Sequence, residues 1–487
     1  MRRRDFLVFA GVGLMLTACI HGPVVAGERV QPPNVIFLMA DDLGYGDTGF
    51  NGNTVIKTPH LDAMAEDGIR FTRFYSIGPV CAPTRASCLT GRHYMRFGMM
   101  DVNVGKLPKQ EITLAKACKA KGYATGHFGK WHLGTMSRTE SPRHKDPAKG
   151  FAPPWTRDYD DAFASEISVP TWNPASGKHR QHSAPYWHNG EKVTENLEGD
   201  DSRVIMDRAI PFIQKAVAGG KPFMTTIWFH APHSPVVAGP DYLKMYEGYT
   251  EGQQHYYGCI TAMDEQVGRL RSELRKLGVD KNTMIWFCSD NGPEGNGKPN
   301  PKYDAYKGAY YGETGGLRGR KRSLYNGGVC VPAVAVWPGT VEKGQTVQVP
   351  CSTLDYLPTV CEAIGSDQPE DRPIDGESLL PLLLGKTQAR TSTIPFASNI
   401  RGSKAALIKG DLKLCTNLSS DGTDALYHLH DDPAESNNLI ADHPELAQSM
   451  KADLQAWMES CRKSFDGKDY SEPYEPQGTF FKYKTIK

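Results

Sequence analysis

Neither sign of charge prevails in this chain: 56 basic side chains stand against 55 acidic ones over 487 residues, a formal net charge of +1. No global field favours nucleic acid or an anionic membrane, so any preference for an anion must be built locally. Long apolar runs are scarce as well. The stretch from Phe6 to Ala18 falls short of the roughly 20 residues that a spanning helix needs. The 11 cysteines follow no regular framework and no spacing suggests a zinc site. Internal repeats and low-complexity tracts are lacking. With 39% hydrophobic and 23% charged residues, disorder is not the default, and the length allows a large core with a smaller partner domain.

The first 27 residues read as an export signal. Arg2-Arg3-Arg4-Asp5-Phe6-Leu7 precedes the apolar stretch and resembles a twin-arginine signal for export from a bacterial cytoplasm. Leu16-Thr17-Ala18-Cys19 resembles a lipobox, with Cys19 as a lipid anchor; an ordinary cleaved signal with an incidental cysteine is the alternative. The expected location is periplasmic or membrane-anchored. Cys259, Cys288 and Cys361 sit in apolar patterns and read as buried small hydrophobes, while a disulfide or two stays open.

Two continuous apolar runs, 34–40 and 283–289, predict strands covered by helices on both faces. Stretches 223–229 and 123–128 predict two more. Each ends on polar, ionisable residues, and in an open α/β sheet the carboxyl ends of the strands form the ligand crevice. Helices are predicted over 61–67 behind Thr58-Pro59, over 203–217, over 253–277 and over 354–364. Between Gly134 and Asp201 no periodicity is evident, which predicts loops around a site; Gly292 to Arg318 is a second such break. After about Thr391, short alternating segments at 405–414 and 426–430 precede an amphipathic helix at 444–461. The fold class is therefore α/β, a large mostly parallel central sheet flanked by helices, divided as residues 30–390 for the main domain and 391–487 for a C-terminal α+β subdomain.

The chemistry-bearing residues follow the strands. Asp41, Asp42, Asp290 and Asn291 offer only oxygen ligands, which suits a hard cation such as Ca²⁺. One such pair alone would read as a turn or helix cap; two pairs at strand ends point to a metal. Cys81 opens Cys81-Ala82-Pro83-Thr84-Arg85-Ala86-Ser87-Cys88-Leu89-Thr90-Gly91-Arg92, a short helical run from Pro83 that closes at Gly91. A nucleophile there would lie in a surface crevice at a helix N-terminus, where even an unmodified thiolate would be reactive. Lys130 and His132 follow one strand, His230 and His233 another, and Lys321 lies in a glycine-flanked basic segment. With Arg85, the two lysines supply fixed positive charge for an oxyanion.

In combination these motifs resemble the formylglycine-dependent type I sulfatases of the alkaline-phosphatase-like superfamily, over nearly the whole chain from Asn34. The family signature usually reads C-x-P-S-R, and this sequence has Thr84 in place of serine. The resemblance implies that a formylglycine-generating enzyme oxidises Cys81 to 3-oxoalanine, whose hydrate attacks sulfur and later expels sulfate. It implies Asp41, Asp42, Asp290, Asn291 and residue 81 as ligands of one Ca²⁺. Arg85 and Lys130 would hold the hydrate, and His132 would take the proton on elimination. His233 and Lys321 would grip the sulfate and protonate the leaving oxygen, which of the two being open. His230 is assigned a sugar-binding role.

Sulfated carbohydrate is the preferred substrate. Trp172, His179, Arg180, His182, Tyr186, Trp187 and His188 lie within 172–189, a mix of rings and cations suited to sulfated sugars, with loop packing as the alternative. A phosphodiesterase or phosphonate monoester hydrolase of the same fold is the nearest competing activity. A non-catalytic lipoprotein that binds sulfated glycans is the competing class.

Overall fold

The computed structural model describes residues 32–175, 185–295, 310–400, 404–417 and 423–481. The expected export signal, with Cys19, lies outside them, as do His179, Arg180 and His182.

Sixteen strands are formed among these residues. In chain order they are β1 (Asn34–Ala40), β2 (Ile69–Phe71), β3 (Phe74–Tyr75), β4 (Ala124–Lys130), β5 (Asp161–Ser165) and β6 (Tyr186–His188). Next come β7 (Glu191–Val193), β8 (Phe223–Trp228), β9 (Thr283–Ser289), β10 (Ala333–Val336) and β11 (Gln345–Val347). The last are β12 (Cys351–Ser352), β13 (Ile394–Ser398), β14 (Lys404–Lys409), β15 (Leu412–Thr416) and β16 (Ala425–His428). Ten of them form one sheet in the order β11-β2-β10-β9-β1-β8-β4-β5-β6-β7. Its centre, from β9 to β5, is parallel as expected. The pairings of β10 with its neighbours, and of β6 with β5 and β7, are antiparallel, so the whole sheet is mixed.

The apolar runs sit at the sheet centre because only there are both faces covered. In β1, Val35, Phe37 and Met39 point into one core, and Ile36, Leu38 and Ala40 into the other. Strand β9 divides likewise, Met284, Trp286 and Cys288 against Ile285 and Phe287. Each fully buried large side chain contributes about 1.5–3 kcal/mol. One core is closed by the helices Pro59–Glu66, Asp201–Ala218 and Glu251–Lys276. The other is closed by Cys81–Thr90, Leu114–Ala120 and Tyr356–Ala363, together with a smaller antiparallel sheet, β13-β14-β15-β16. Against that sheet packs the helix Pro444–Phe465, through Met450, Leu454 and Met458.

The irregular stretch expected between Gly134 and Asp201 contains three strands, which is a correction. Strand β5 is only five residues with two alanines, too short and too weakly apolar to stand out. Strands β6 and β7 form a hairpin on Asn189-Gly190, both at positive φ (48° and 100°), the pair that a two-residue turn requires. All ten described cysteines are buried and free, so among the described residues no disulfide forms.

Candidate active site

The register of the parallel strands brings four strand ends level. Ala40 pairs with Ser289, Met39 with Trp228, and Gly129 with Trp228. The turns that follow are then bonded to one another. Asp41 N–H donates to Ala231 O at 3.0 Å, Asp290 N–H to Ala40 O at 3.1 Å and Phe229 N–H to Met39 O at 2.9 Å. Asp41, Asp42, Asp290, Asn291, Lys130, His132 and His233 are thereby gathered from segments far apart in sequence.

Cys81 is the first residue of its helix, two residues earlier than the expected start at Pro83, and Gly91 ends it at φ 64°. The turn before the helix is closed by Thr84, whose hydroxyl donates to Gly78 O at 2.9 Å and accepts from Gly78 N–H at 3.0 Å. Any β-hydroxyl at position 84 makes these two bonds, so threonine serves where serine is usual. The Cys81 thiol donates to Asp41 Oδ1 at 3.3 Å. Cys81 is not in a surface crevice: it is 1% exposed. Burial, with the charges of Asp290 and Asp41, pushes the thiol well above its ordinary range, outweighing Lys130 and Lys321. The residues around Cys81 thus oppose the reactive thiolate expected from the helix N-terminus.

Around it lies a lattice of buried charge. Lys130 Nζ is 2.5 Å from Asp41 Oδ2, Lys321 Nζ 2.6 Å from Asp42 Oδ1, and Arg85 Nη2 2.7 Å from Asp290 Oδ2. Burial would raise the Asp41 carboxyl, yet Lys130, His233, Arg85 and Lys321 together hold it well below its usual range. Burial and the neighbouring Asp41 charge push Asp290 up to about 6 despite Arg85. Asp41 and Asp290 thus repel each other although each has a buried cation beside it. The buried Asn291 Oδ1 has no hydrogen-bond partner among the described residues, while Asn291 Nδ2 donates to Asp42 Oδ1 at 2.7 Å. A divalent cation would satisfy the orphan oxygen and relieve the repulsion, so this donor set fits one. Donor atoms of Asp41, Asp42, Cys81 and His233 all lie within 4.8 Å of one another.

Four residues here hold left-handed backbone without being glycine: Asp42 (φ 67°), Asn103 (φ 57°), His132 (φ 59°) and Arg322 (φ 74°). Such conformations cost about 1–3 kcal/mol each and gather where geometry serves function. His132 faces Asn103, with Nε2 3.3 Å from Asn103 Oδ1, and burial followed by the Lys130 and Arg85 charges depresses its imidazolium. His233 is partly exposed; its Nδ1 is 2.6 Å from Ser234 O and its Nε2 3.7 Å from Asp42. Burial lowers the His233 imidazolium to about 4, against the pull of Asp41 and Asp42.

His230 is a correction. It is fully buried, with Nε2 2.7 Å from Ser165 Oγ and Nδ1 2.8 Å from Asp201 Oδ2, and presents nothing to a sugar. Its imidazole ties Ser165 to Asp201, and its backbone carbonyl accepts from His233 N–H at 2.7 Å. Two of the described members of the expected sugar platform are not open to a sugar. Tyr186 and Trp187 are buried, and His188 Nε2 lies 2.6 Å from Asp161. Trp172 packs so closely on Gly239 that any side chain there would collide with the indole.

Ser165, Glu166, Asp201, Asn103 and Glu294 were not anticipated. Trp131 and His132 N–H groups donate to the Ser165 and Glu166 carbonyls at 2.9 and 3.1 Å. Glu294 lies 3.6 Å from Lys321, and burial would raise its carboxyl, but Lys321 and Arg322 bring it down to about 2. Asp201 opens a long helix, but the others sit on turns and a short strand with no local pattern; only the Asn189-Gly190 turn signal could have led to β5 and β6.

Comparison with known proteins places this arrangement. The sulfatase family model matches residues 33–366, and the model described as N-sulphoglucosamine sulphohydrolase, C-terminal, matches residues 317–464. Arylsulfatase G of Rattus norvegicus is 30% identical, over 90% of this chain and 89% of its own length. N-acetylgalactosamine-6-sulfatase of Mus musculus is 32% identical, over 76% of this chain and 70% of its own. Among solved structures, Ps i-CgsB in complex with k-i-k-neocarrahexaose superposes with a TM-score of 0.76 at 26% identity, covering 91% of this chain and 95% of that one. The chain belongs to the type I sulfatases of the alkaline-phosphatase-like superfamily and is a sulfuric ester hydrolase.

Proposed function

We propose that this enzyme removes sulfate from a sulfated carbohydrate, and that Cys81, oxidised to formylglycine by a formylglycine-generating enzyme, carries the nucleophile. The observation that carries the reading is the setting of residue 81: at the first turn of a helix, beside Asp41, among buried Lys130, Lys321 and Arg85. A neutral buried thiol has little use there, whereas a hydrated aldehyde has two hydroxyls that such a site can hold. Asp41, Asp42, Asp290 and Asn291, with residue 81, would hold Ca²⁺, which when bound supplies charge neutralisation and Lewis acidity.

The chain's own residues divide the remaining work. Arg85 and Lys130 orient the side chain of residue 81. His132, kept neutral, accepts a proton during release of sulfate. Lys321 and His233 grip the sulfate oxygens at the open side, and one of the two protonates the departing alcohol. Helix N-terminal N–H groups favour the anion in the same place. A carbohydrate substrate is supported by the names of the relatives and by the sugar bound to the structural neighbour.

The twin-arginine-like start and Leu16-Thr17-Ala18-Cys19 support export from a bacterial cytoplasm, with Cys19 as a lipid anchor. The test of the function is a panel of sulfated oligosaccharides, small aryl sulfates and matched phosphate esters. Turnover of sulfated oligosaccharides is expected to dominate. Activity on aryl sulfates alone would overturn the carbohydrate assignment, and faster turnover of phosphate esters would favour a phosphodiesterase or phosphonate hydrolase. Binding without turnover would favour the non-catalytic lipoprotein.

A further inference from the structure

Beside His132 the structure carries positive charge that the site just described does not use. Asn103, in contact with His132, opens a segment ending at Leu107, whose N–H donates to Leu133 O at 2.8 Å. Lys106 therefore stands no more than about 11 Å from Asn103 along the backbone, three Cα steps away. The facing wall starts from the same place: Thr135 N–H donates to Gly150 O at 2.8 Å, which brings Lys149 and His144 alongside. Between the walls is a cavity of about 460 Å³, lined by Lys106, His144, Asp146 and Lys149 and by Glu475 and Gln477 of the C-terminal segment.

Both acids of this cavity are engaged by Lys149, which leaves Lys106 as the cation without an ion-pair partner among the described residues. Asp146 Oδ1 accepts from Lys149 N–H at 3.1 Å, and Glu475 lies 3.7 Å from Lys149 Nζ. Lys106 makes no ion pair among the described residues; its backbone N–H donates to Gln477 Oε1 at 3.2 Å. Burial first, then the charges of Arg138, Arg157 and Lys149, lower the Lys106 ammonium against the opposing pull of Glu475. A half-buried cation crowded by its own sign gains most from an anion.

We propose that this cavity is a second anion subsite, which receives a sulfate or carboxylate on a sugar neighbouring the one whose ester is cleaved. The proposal rests on the carbohydrate-sulfatase reading above and specifies it: the preferred substrate is a multiply charged oligosaccharide. It also supplies what the buried Tyr186 and Trp187 do not, a polar surface next to the reacting ester.

Equilibrium binding to the Cys81→Ala chain tests it, because recognition is then measured without turnover. The probes are three tetrasaccharides of one backbone: one with a single sulfate, one with a second sulfate on the next disaccharide unit, and one with a carboxylate in that place. A second anion is expected to tighten binding by about fivefold, the size of two partly exposed charge contacts. Adding Lys106→Gln and Lys149→Gln is expected to abolish that gain while leaving the affinity for the single-sulfate probe. The anion with the larger gain identifies the substituent. Equal affinity for all three probes, or a gain that survives both substitutions, overturns the subsite. An unchanged thermal midpoint shows that the substituted chain is folded. Turnover of an aryl sulfate by the wild-type chain tests the sulfatase reading separately, so the two failures are distinguishable.

Discussion

At the scale of single residues, the site works by forcing charges together and leaving one oxygen unpaired. Arg85 is buried between Asp290 and Asp41, at 2.7 and 3.6 Å. Asp290→Ala removes a proposed metal ligand and leaves that guanidinium half-paired. It is expected to lose bound metal and activity together and to destabilise the fold by about 3–5 kcal/mol, the cost of breaking a buried ion pair. Metal content, turnover and thermal unfolding measure the three effects. Cys81→Ala removes only a small buried group, so the fold should change by about 1 kcal/mol. Turnover should fall at least about a thousandfold, read as initial rates on an aryl sulfate. The paired acids were legible in sequence because each follows an apolar run that ends at the crevice. Asn103 and Glu294 were not, since they arrive from loops whose path depends on tertiary packing. His230 was misjudged because adjacency to His233 says nothing of direction: three residues apart, one side chain enters the core and the other the site.

At the scale of elements, the crevice is assembled by short strands and turns that clamp one another. The end of β5 carries both clamps: its Ser165 and Glu166 carbonyls hold the Trp131-His132 turn, and its Ser165 hydroxyl holds His230. Asp201, the first residue of its helix, completes the second clamp through His230 and the buried Tyr186 hydroxyl. Asp201→Ala leaves the buried His230 Nδ1 with only the longer contact to the Tyr186 hydroxyl, at 3.3 Å. A stability loss of about 2–3 kcal/mol is expected from denaturant unfolding. Turnover should fall by up to about a hundredfold through displacement of His233. Retention of full activity would show that the clamp does not position the site. The long elements were legible and their ends nearly so: Thr250 caps the helix at Glu251–Lys276, two residues before the expected start. Strand β5 was hidden because a five-residue run containing two alanines carries too little hydrophobic contrast.

At the scale of the whole molecule, one buried acid joins the catalytic helix to the C-terminal helix. Asp375 N–H donates to Gly91 O at 2.9 Å, at the end of the Cys81 helix. Its carboxylate accepts from Arg96, from His93 N–H and from Trp457 Nε1 on the C-terminal helix. Burial would raise this carboxyl, but Arg96 outweighs it and holds it far below the usual carboxylate range. Because the folded value is depressed, the stabilisation is fully present above the ordinary range near about 4 and is lost as pH falls below it. Asp375→Asn should therefore cost about 3 kcal/mol at neutral pH, and its penalty should shrink in acid, measured by unfolding at several pH values. That junction was not legible from sequence, because Asp375 lies in a segment without periodicity. The account as a whole stands on the chemical state of position 81 in the protein as its host makes it. The most direct measurement is mass spectrometry of the tryptic peptide Phe74 to Arg85 from that protein. An aldehyde is expected at residue 81, the peptide lighter by a sulfur and two hydrogens and heavier by an oxygen. A fully active enzyme whose peptide retains the thiol would contradict it.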